Sequence, residues 1–180
     1  KRGLRVPKIV SILVGNDGGS IYYMDAQEKA ATALGVEFLK VKLSENSSDE
    51  DVIKEIHKLN NDNSIQGIIL QLPLPKQFDE KKIVKEIATE KDIDCLTFES
   101  QGRLYMGEPN FLPCTPNSVV KLIKSLNVDI SGKNVVVLGR SNIVGKPVAQ
   151  LLLNENATVT ICHSKTNNLK DICKSADILV

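Results

Sequence analysis

Short β-branched apolar runs alternate with helix-period segments along almost the whole chain. A parallel strand buried on both faces reads as such a run, and reaching the next parallel strand requires a crossover, usually a helix. The alternation therefore predicts an α/β fold built on parallel sheets with right-handed crossovers. Residues 9–14 read as the first buried strand, closed by Gly15-Asn16-Asp17-Gly18-Gly19. A helix is expected over 21–34, ended by Gly35, which suits the left-handed position after a helix. Strands are expected at 36–43 and 65–72, and helices at 50–59 and 80–87.

Residues 91–116 carry Gly102, Gly107, Pro109, Pro113 and Pro116 and read as mostly irregular. After a helix at 117–126 the alternation restarts, with strands at 134–139, 157–162 and 177–180 and helices at 144–154 and 169–174. This restart predicts two α/β lobes, 1–116 and 117–180. The chain stops as the third strand of the second lobe begins, where a doubly wound domain normally continues. The expectation is an incomplete second, Rossmann-like lobe, and the missing initiator Met likewise points to a fragment or trimmed chain.

Charge and composition exclude several classes of partner. The 23 basic and 22 acidic residues leave a formal charge of +1, so no net field draws the chain to nucleic acid or an anionic membrane. Aromatics are 4% of residues and Trp is absent, which argues against a base-stacking platform. No apolar run reaches the ~20 residues of a membrane helix. The stretch Lys1 to Pro7 is basic but has no apolar segment, so it does not read as a secretory signal. Cys95, Cys114, Cys162 and Cys173 form no CxxC pair, and only His57 and His163 could assist, so zinc-site spacing is absent. Scattered cysteines fit a reducing, cytoplasmic setting.

In the second lobe, Val135-Val136-Val137-Leu138 runs into Gly139-Arg140-Ser141-Asn142-Ile143-Val144-Gly145. Strand, tight turn and helix start are the context that aims backbone N–H groups at a phosphate. The match to GxGxxG is imperfect: Ser141 takes the second glycine position and the last glycine falls one residue late. An ordinary βα turn is the competing reading. The next strand ends in His163-Ser164-Lys165-Thr166, with no acid to bind a ribose 2′-hydroxyl. Arg140 with Ser164 and Lys165 suits a dianionic 2′-phosphate, so the residues favour NADP over NAD. A solvated loop is the alternative for Ser164 and Lys165.

In the first lobe, Ser20, Tyr23 and Gln27 share one helix face by their i, i+3, i+7 spacing. That face starts beside a strand's C-terminal end, where α/β sheets bind ligands. The plainer reading makes Ser20 an N-cap and Tyr23 half-buried. Gln71 ends a strand and leads into Leu72-Pro73-Leu74-Pro75, and its amide suits a heterocycle. In Lys91-Asp92-Ile93-Asp94 one acid is expected to bind ligand while the other caps or pairs with Lys91. Cys114, in Pro113-Cys114-Thr115-Pro116, has no evident base and reads as packed rather than nucleophilic.

Taken together these segments resemble the methylenetetrahydrofolate dehydrogenase/cyclohydrolase family of the bifunctional FolD type. The matching pieces are Val14-Gly15 with Ser20-x-x-Tyr23, Gln71 to Pro75, Lys91 to Asp94, Pro113 to Pro116, Gly139 to Gly145 with Pro147, and Cys162-His163-Ser164-x-Thr166. They occur in family order over nearly the whole chain. The resemblance implies a homodimeric two-lobed enzyme that oxidises 5,10-methylenetetrahydrofolate with NADP⁺ and then hydrolyses the methenyl product to 10-formyltetrahydrofolate. It implies that Ser20, Tyr23, Gln71 and Asp94 bind the folate, that the catalytic positions are Tyr23, Gln27 and Asp94, and that Gly139, Arg140, Ser141 and Ser164 hold NADP.

Two positions depart from the family pattern. The family has a lysine four residues after the tyrosine, with a central role in the cyclohydrolase step, and here that position is Gln27. A carboxamide hydrogen-bonds but does not titrate, so it cannot act as an acid or base. Lys29 lies about 200° further round the helix and is no simple substitute. Hydride transfer needs no protein base, so the expectation is a dehydrogenase with a weakened hydrolytic step. Cys95 stands where the family commonly has glycine. The competing readings are a folate- and NADP-binding relic without turnover, and another two-lobed Rossmann dehydrogenase.

Overall fold

The computed structural model describes residues 5–180; residues 1–4 of the basic N-terminal stretch lie outside them. The first sheet contains β1 (Lys8–Val14), β2 (Glu37–Leu43) and β3 (Gly67–Leu70) in the order β2-β1-β3, all parallel. In its middle strand every residue from Val10 to Val14 is buried, as is all of β3. Helix α1 (Gly18–Ala33) crosses from β1 to β2, and α2 (Asp49–Asn61) from β2 to β3. Helix α2 starts with a reciprocal capping box between Ser48 and Asp51. Its Val52, Ile56 and Leu59 sit on one face and pack on Val10, Ile12, Ile68 and Leu70. Full burial of each such side chain contributes roughly 1.5–3 kcal/mol before chain entropy is set against it. Gly35 has φ +72°, the left-handed geometry expected after α1.

After α3 (Glu80–Val84) and a 3-10 turn at Thr89–Lys91 comes α4 (Phe98–Tyr105). This helix corrects the expectation of an irregular 91–116. Ser100 and Leu104 lie four residues apart and are both buried, and that packing outweighs the ~1 kcal/mol helix penalty of Gly102. Helix α5 (Cys114–Ser125) also starts earlier than expected. Pro116 falls in its first turn, where a missing N–H breaks no helical bond.

The second sheet is parallel in the order β5-β4-β6, from β4 (Asn134–Leu138), β5 (Thr158–Cys162) and β6 (Ile178–Leu179). Helix α6 (Gly145–Asn154) connects β4 to β5 and buries Pro147, Val148, Ala149, Leu151 and Leu152; α7 (Leu169–Lys174) precedes β6. The chain divides into two compact units between Glu99 and Ser100, inside α4, and not at the expected 116/117. Residues 100–116, expected with the first lobe, cluster with the second.

Candidate active site

In the first unit Gln71 and Gln27 meet beyond the C-terminal end of β3. Gln71 directly follows β3, and its backbone N–H donates to Ile12 O at 2.8 Å, which holds the strand exit against β1. Its side chain is 4% exposed. The side-chain Nε2 donates to Ser11 Oγ at 2.9 Å and to Gln27 Oε1 at 2.8 Å. The Gln71–Gln27 contact joins two sequence-selected positions 44 residues apart. The pair offers hydrogen bonds and no titrating group.

Helix α1 carries Ser20, Tyr23 and Gln27. Its N-cap is Asp17, not Ser20: the Asp17 carboxylate accepts the Ser20 N–H at 2.7 Å. The Ser20 hydroxyl also bonds Asp17, and these bonds hold the Asp17 carboxyl below its ordinary range. Ser20 is buried one turn into the helix, while Tyr23 keeps 45% of its surface exposed. Beside them the loops after β1 and β3 line a hollow of about 370 Å³ that includes Asn16, Asp17, Pro73 and Lys76.

The structure separates the roles within Lys91 to Asp94. Lys91 Nζ donates to the carbonyls of Leu59, Asn60 and Asp62 at 2.6–2.9 Å, capping the C-terminus of α2. Asp92 is 1% exposed and accepts the N–H groups of Leu96 and Thr97 at 2.9 and 2.8 Å. The expectation that one acid caps is met by Asp92, whereas Lys91 turns to helix carbonyls instead of an acid. Asp94 remains partly exposed. Cys95 follows at φ +57°, the left-handed region that favours glycine, and is 1% exposed. Burial, with Asp92 and Asp94 nearby, pushes its thiol up to about 12.

In the second unit, Leu138 pairs with Cys162, so the loops after β4 and β5 leave the sheet side by side. The Gly139 N–H donates to Cys162 O at 2.8 Å. Ser141 Oγ accepts the N–H groups of Val144 and Gly145 at 3.1 and 3.2 Å, so this serine braces the turn. A Cβ on Gly145 would stand 2.6 Å from Gly139 C and 2.9 Å from Arg140 N. Only glycine lets α6 start this close to the β4 exit, the packing role of the last glycine in a dinucleotide turn. After β5, Thr166 Oγ1 accepts the His163 N–H at 2.8 Å, closing a turn that leaves Ser164 and Lys165 exposed. Arg140 is exposed as well. Glycine turn, parallel strand ends and an accessible cation with hydroxyl fit a phosphorylated dinucleotide.

Residues 1–94 match the family model described as tetrahydrofolate dehydrogenase/cyclohydrolase, catalytic domain, and residues 113–180 match its NAD(P)-binding domain. The chain belongs to the tetrahydrofolate dehydrogenase/cyclohydrolase family. It is 78% identical, over its full length, to the bifunctional protein FolD of Clostridium beijerinckii and spans 64% of that relative. A 5,10-methylenetetrahydrofolate dehydrogenase from the silkworm, Bombyx mori, superposes with TM-score 0.93 at 39% identity, covering 98% of this chain and 65% of the other. The Trypanosoma brucei methylenetetrahydrofolate dehydrogenase-cyclohydrolase, solved with NADP and an inhibitor, gives TM-score 0.92 at 40% identity over 97% of this chain and 60% of its own. Membership in this family sets aside an unrelated two-lobed dehydrogenase. Among the described residues no helix is long and apolar enough to cross a membrane.

The Ser11 contact with Gln71 belongs to no motif of the sequence. Ser11 is the only hydroxyl in the run Lys8 to Val14, and a lone polar residue in a buried strand was the available signal.

Proposed function

We propose that this chain belongs to an NADP-dependent 5,10-methylenetetrahydrofolate dehydrogenase whose cyclohydrolase step is weakened. The observation that carries the reading is the Gln71–Gln27 hydrogen bond, which seats a non-titrating amide where the family pattern has lysine. Family membership supports the folate substrate. Asp94 would accept two parallel N–H bonds from the 2-amino-pyrimidinone edge of the pterin. Gln71 would offer its amide to the same ring, with Tyr23 lining the pocket and Ser20 nearby.

The Gly139–Gly145 turn would hold NADP, with Arg140, Ser141 and Ser164 as its side chains and the 2′-phosphate at Arg140 and Ser164. When bound, the nicotinamide supplies the hydride acceptor. The residues of this chain then position the one-carbon bridge and keep water from it, and no protein base is needed for that step. Water addition to the methenyl product does call for proton transfer, and neither Gln27 nor Gln71 carries a proton at neutral pH that it can exchange. The first unit acts as the folate lobe and the second as the start of the NADP lobe. The protein works as a cytoplasmic homodimer.

The test follows NADPH and the methenyl intermediate together in the full-length protein supplied with methylenetetrahydrofolate and NADP⁺. NADPH formation with accumulating methenyl product is the expected course. Prompt methenyl decay beyond the buffer rate removes the argument from Gln27, and tight folate and NADP binding without NADPH replaces the dehydrogenase with a binding relic.

A further inference from the structure

Ser11 sits in the middle of β1, 0% exposed, with Lys40 and Ile69 as its register partners. A buried hydroxyl in an apolar strand is costly unless it is bonded. Its bond is to Gln71 Nε2, and the second hydrogen of that nitrogen goes to Gln27. Both N–H groups of the Gln71 amide are therefore spent inward. Its Oε1 takes no hydrogen bond among the described residues. We propose that Ser11 is a positioning residue: with Gln27 it clamps the Gln71 amide by its nitrogen and leaves the carbonyl oxygen as the acceptor offered to the substrate.

The sense of the clamp is set at position 27: the Gln27 carboxamide presents its Oε1, so the Gln71 nitrogen faces it, whereas a lysine there can only donate and would draw Oε1 inward. Serine can donate as well as accept, so Ser11 holds the amide in either sense while its partner at position 27 sets which edge faces out. A side chain fixed by two short bonds is already oriented before substrate arrives, and such preorganisation acts on the transition state. This inference rests on the folate reading above.

The test uses Ser11→Ala and the near-isosteric Ser11→Cys in the full-length protein, with steady-state oxidation of methylenetetrahydrofolate by NADP⁺. Loss of one buried hydrogen bond should lower kcat/KM for the folate roughly 5- to 10-fold and leave KM for NADP⁺ unchanged. In a Gln71→Met background neither Ser11 variant should cause a further loss, because the clamped group is gone. The proposal is overturned by a wild-type kcat/KM in either variant, by a loss in Ser11→Ala that Ser11→Cys does not share, which marks packing alone, or by an equal loss in the Gln71→Met background. If the unaltered protein neither turns over nor binds the folate, the folate reading falls and this proposal falls with it. An active protein with insensitive Ser11 variants overturns this proposal alone.

Discussion

Gly145 packs so closely on Gly139 that no side chain fits between the start of α6 and the end of β4. The obstruction is backbone, which cannot rotate aside as a flexible side chain would. Gly145→Ala should therefore displace the turn, at a stability cost of about 1–3 kcal/mol for overpacking. The turn proposed to hold the cofactor moves with it, so the Kd for NADP⁺ should rise at least about tenfold. Thermal unfolding and a cofactor titration read the two effects. An unchanged Kd would remove this turn from the cofactor site.

Arg140 and Ser164 lie on adjacent loops because β4 and β5 pair in register at Leu138 and Cys162. If Arg140 meets the 2′-phosphate, Arg140→Ala loses a charge-assisted bond worth roughly 1.5–3 kcal/mol. Activity with NADP⁺ should fall about 10- to 100-fold in kcat/KM, while the NAD⁺ reaction changes little. Equal losses with both cofactors would assign Arg140 to the shared pyrophosphate or to the fold.

The alternation of apolar runs and helical segments made the parallel sheets legible, because burial on both faces writes a β-branched run into β1 and β4. The Gly139–Gly145 turn was legible for a similar reason, since a backbone contact leaves glycine no alternative at position 145. Helix α4 was not, because its stability lies in the packing of Ser100 and Leu104 and its own propensity is poor around Gly102. Local reading also misassigned the cap of α1: Asp17 and Ser20 are both cap-forming residues, and only geometry shows which oxygen receives which N–H. Ser11 and Lys91 depend on partners far away in sequence, at Gln71 and at the end of α2, and no local pattern announces such pairs.

Lys91 is 8% exposed and satisfies three carbonyls at the C-terminus of α2. Lys91→Met keeps most of the stem volume but removes the ammonium; Leu59 O and Asp62 O keep the N–H groups of Asp62 and Ile65, while Asn60 O loses its strongest donor in a partly buried setting. A loss of about 2–4 kcal/mol is expected in a denaturant titration. Lys91→Arg should also destabilise, since a planar fork does not reproduce a compact ammonium among three converging carbonyls. A neutral Lys91→Met variant would show that water replaces the ammonium there.

Cys95 combines a left-handed backbone with a buried side chain, and the two effects oppose each other. Cys95→Gly relieves a conformational cost of roughly 1–2 kcal/mol and loses burial of similar size, so its stability should stay within about 1 kcal/mol of the parent. Cys95→Ala keeps the strain and leaves a cavity, and should be the less stable of the two. The thiol, raised from the usual 9.0 to about 12, ionises in the unfolded chain before it does in the folded one. Its contribution is intact below about 9 and is lost as pH rises from there toward 12. Stability measured between pH 8 and 11 should therefore fall less steeply in Cys95→Gly than in the parent. Parallel curves would mean that Cys95 does not set the alkaline limb.

Gln27 and Gln71 meet through one N–H, and that bond requires an acceptor at position 27. A lysine there presents only donors, so Gln27→Lys should turn the Gln71 amide to offer Oε1, with the Ser11 hydroxyl switching from acceptor to donor. The variant then holds an ammonium beside the same amide, and a titratable group is available to move a proton during water addition. General acid–base catalysis typically contributes 10²–10⁴-fold, so hydrolysis of methenyltetrahydrofolate should rise at least about tenfold even with imperfect placement. Dehydrogenase kcat/KM should fall about 5- to 10-fold, as in the Ser11 variants, because the flip turns Nε2 instead of Oε1 toward the folate. Loss of the methenyl absorbance in the variant, compared with parent protein and buffer, measures the gain. An unchanged rate of decay would mean that the weakened hydrolysis, if observed, has its cause elsewhere in the site.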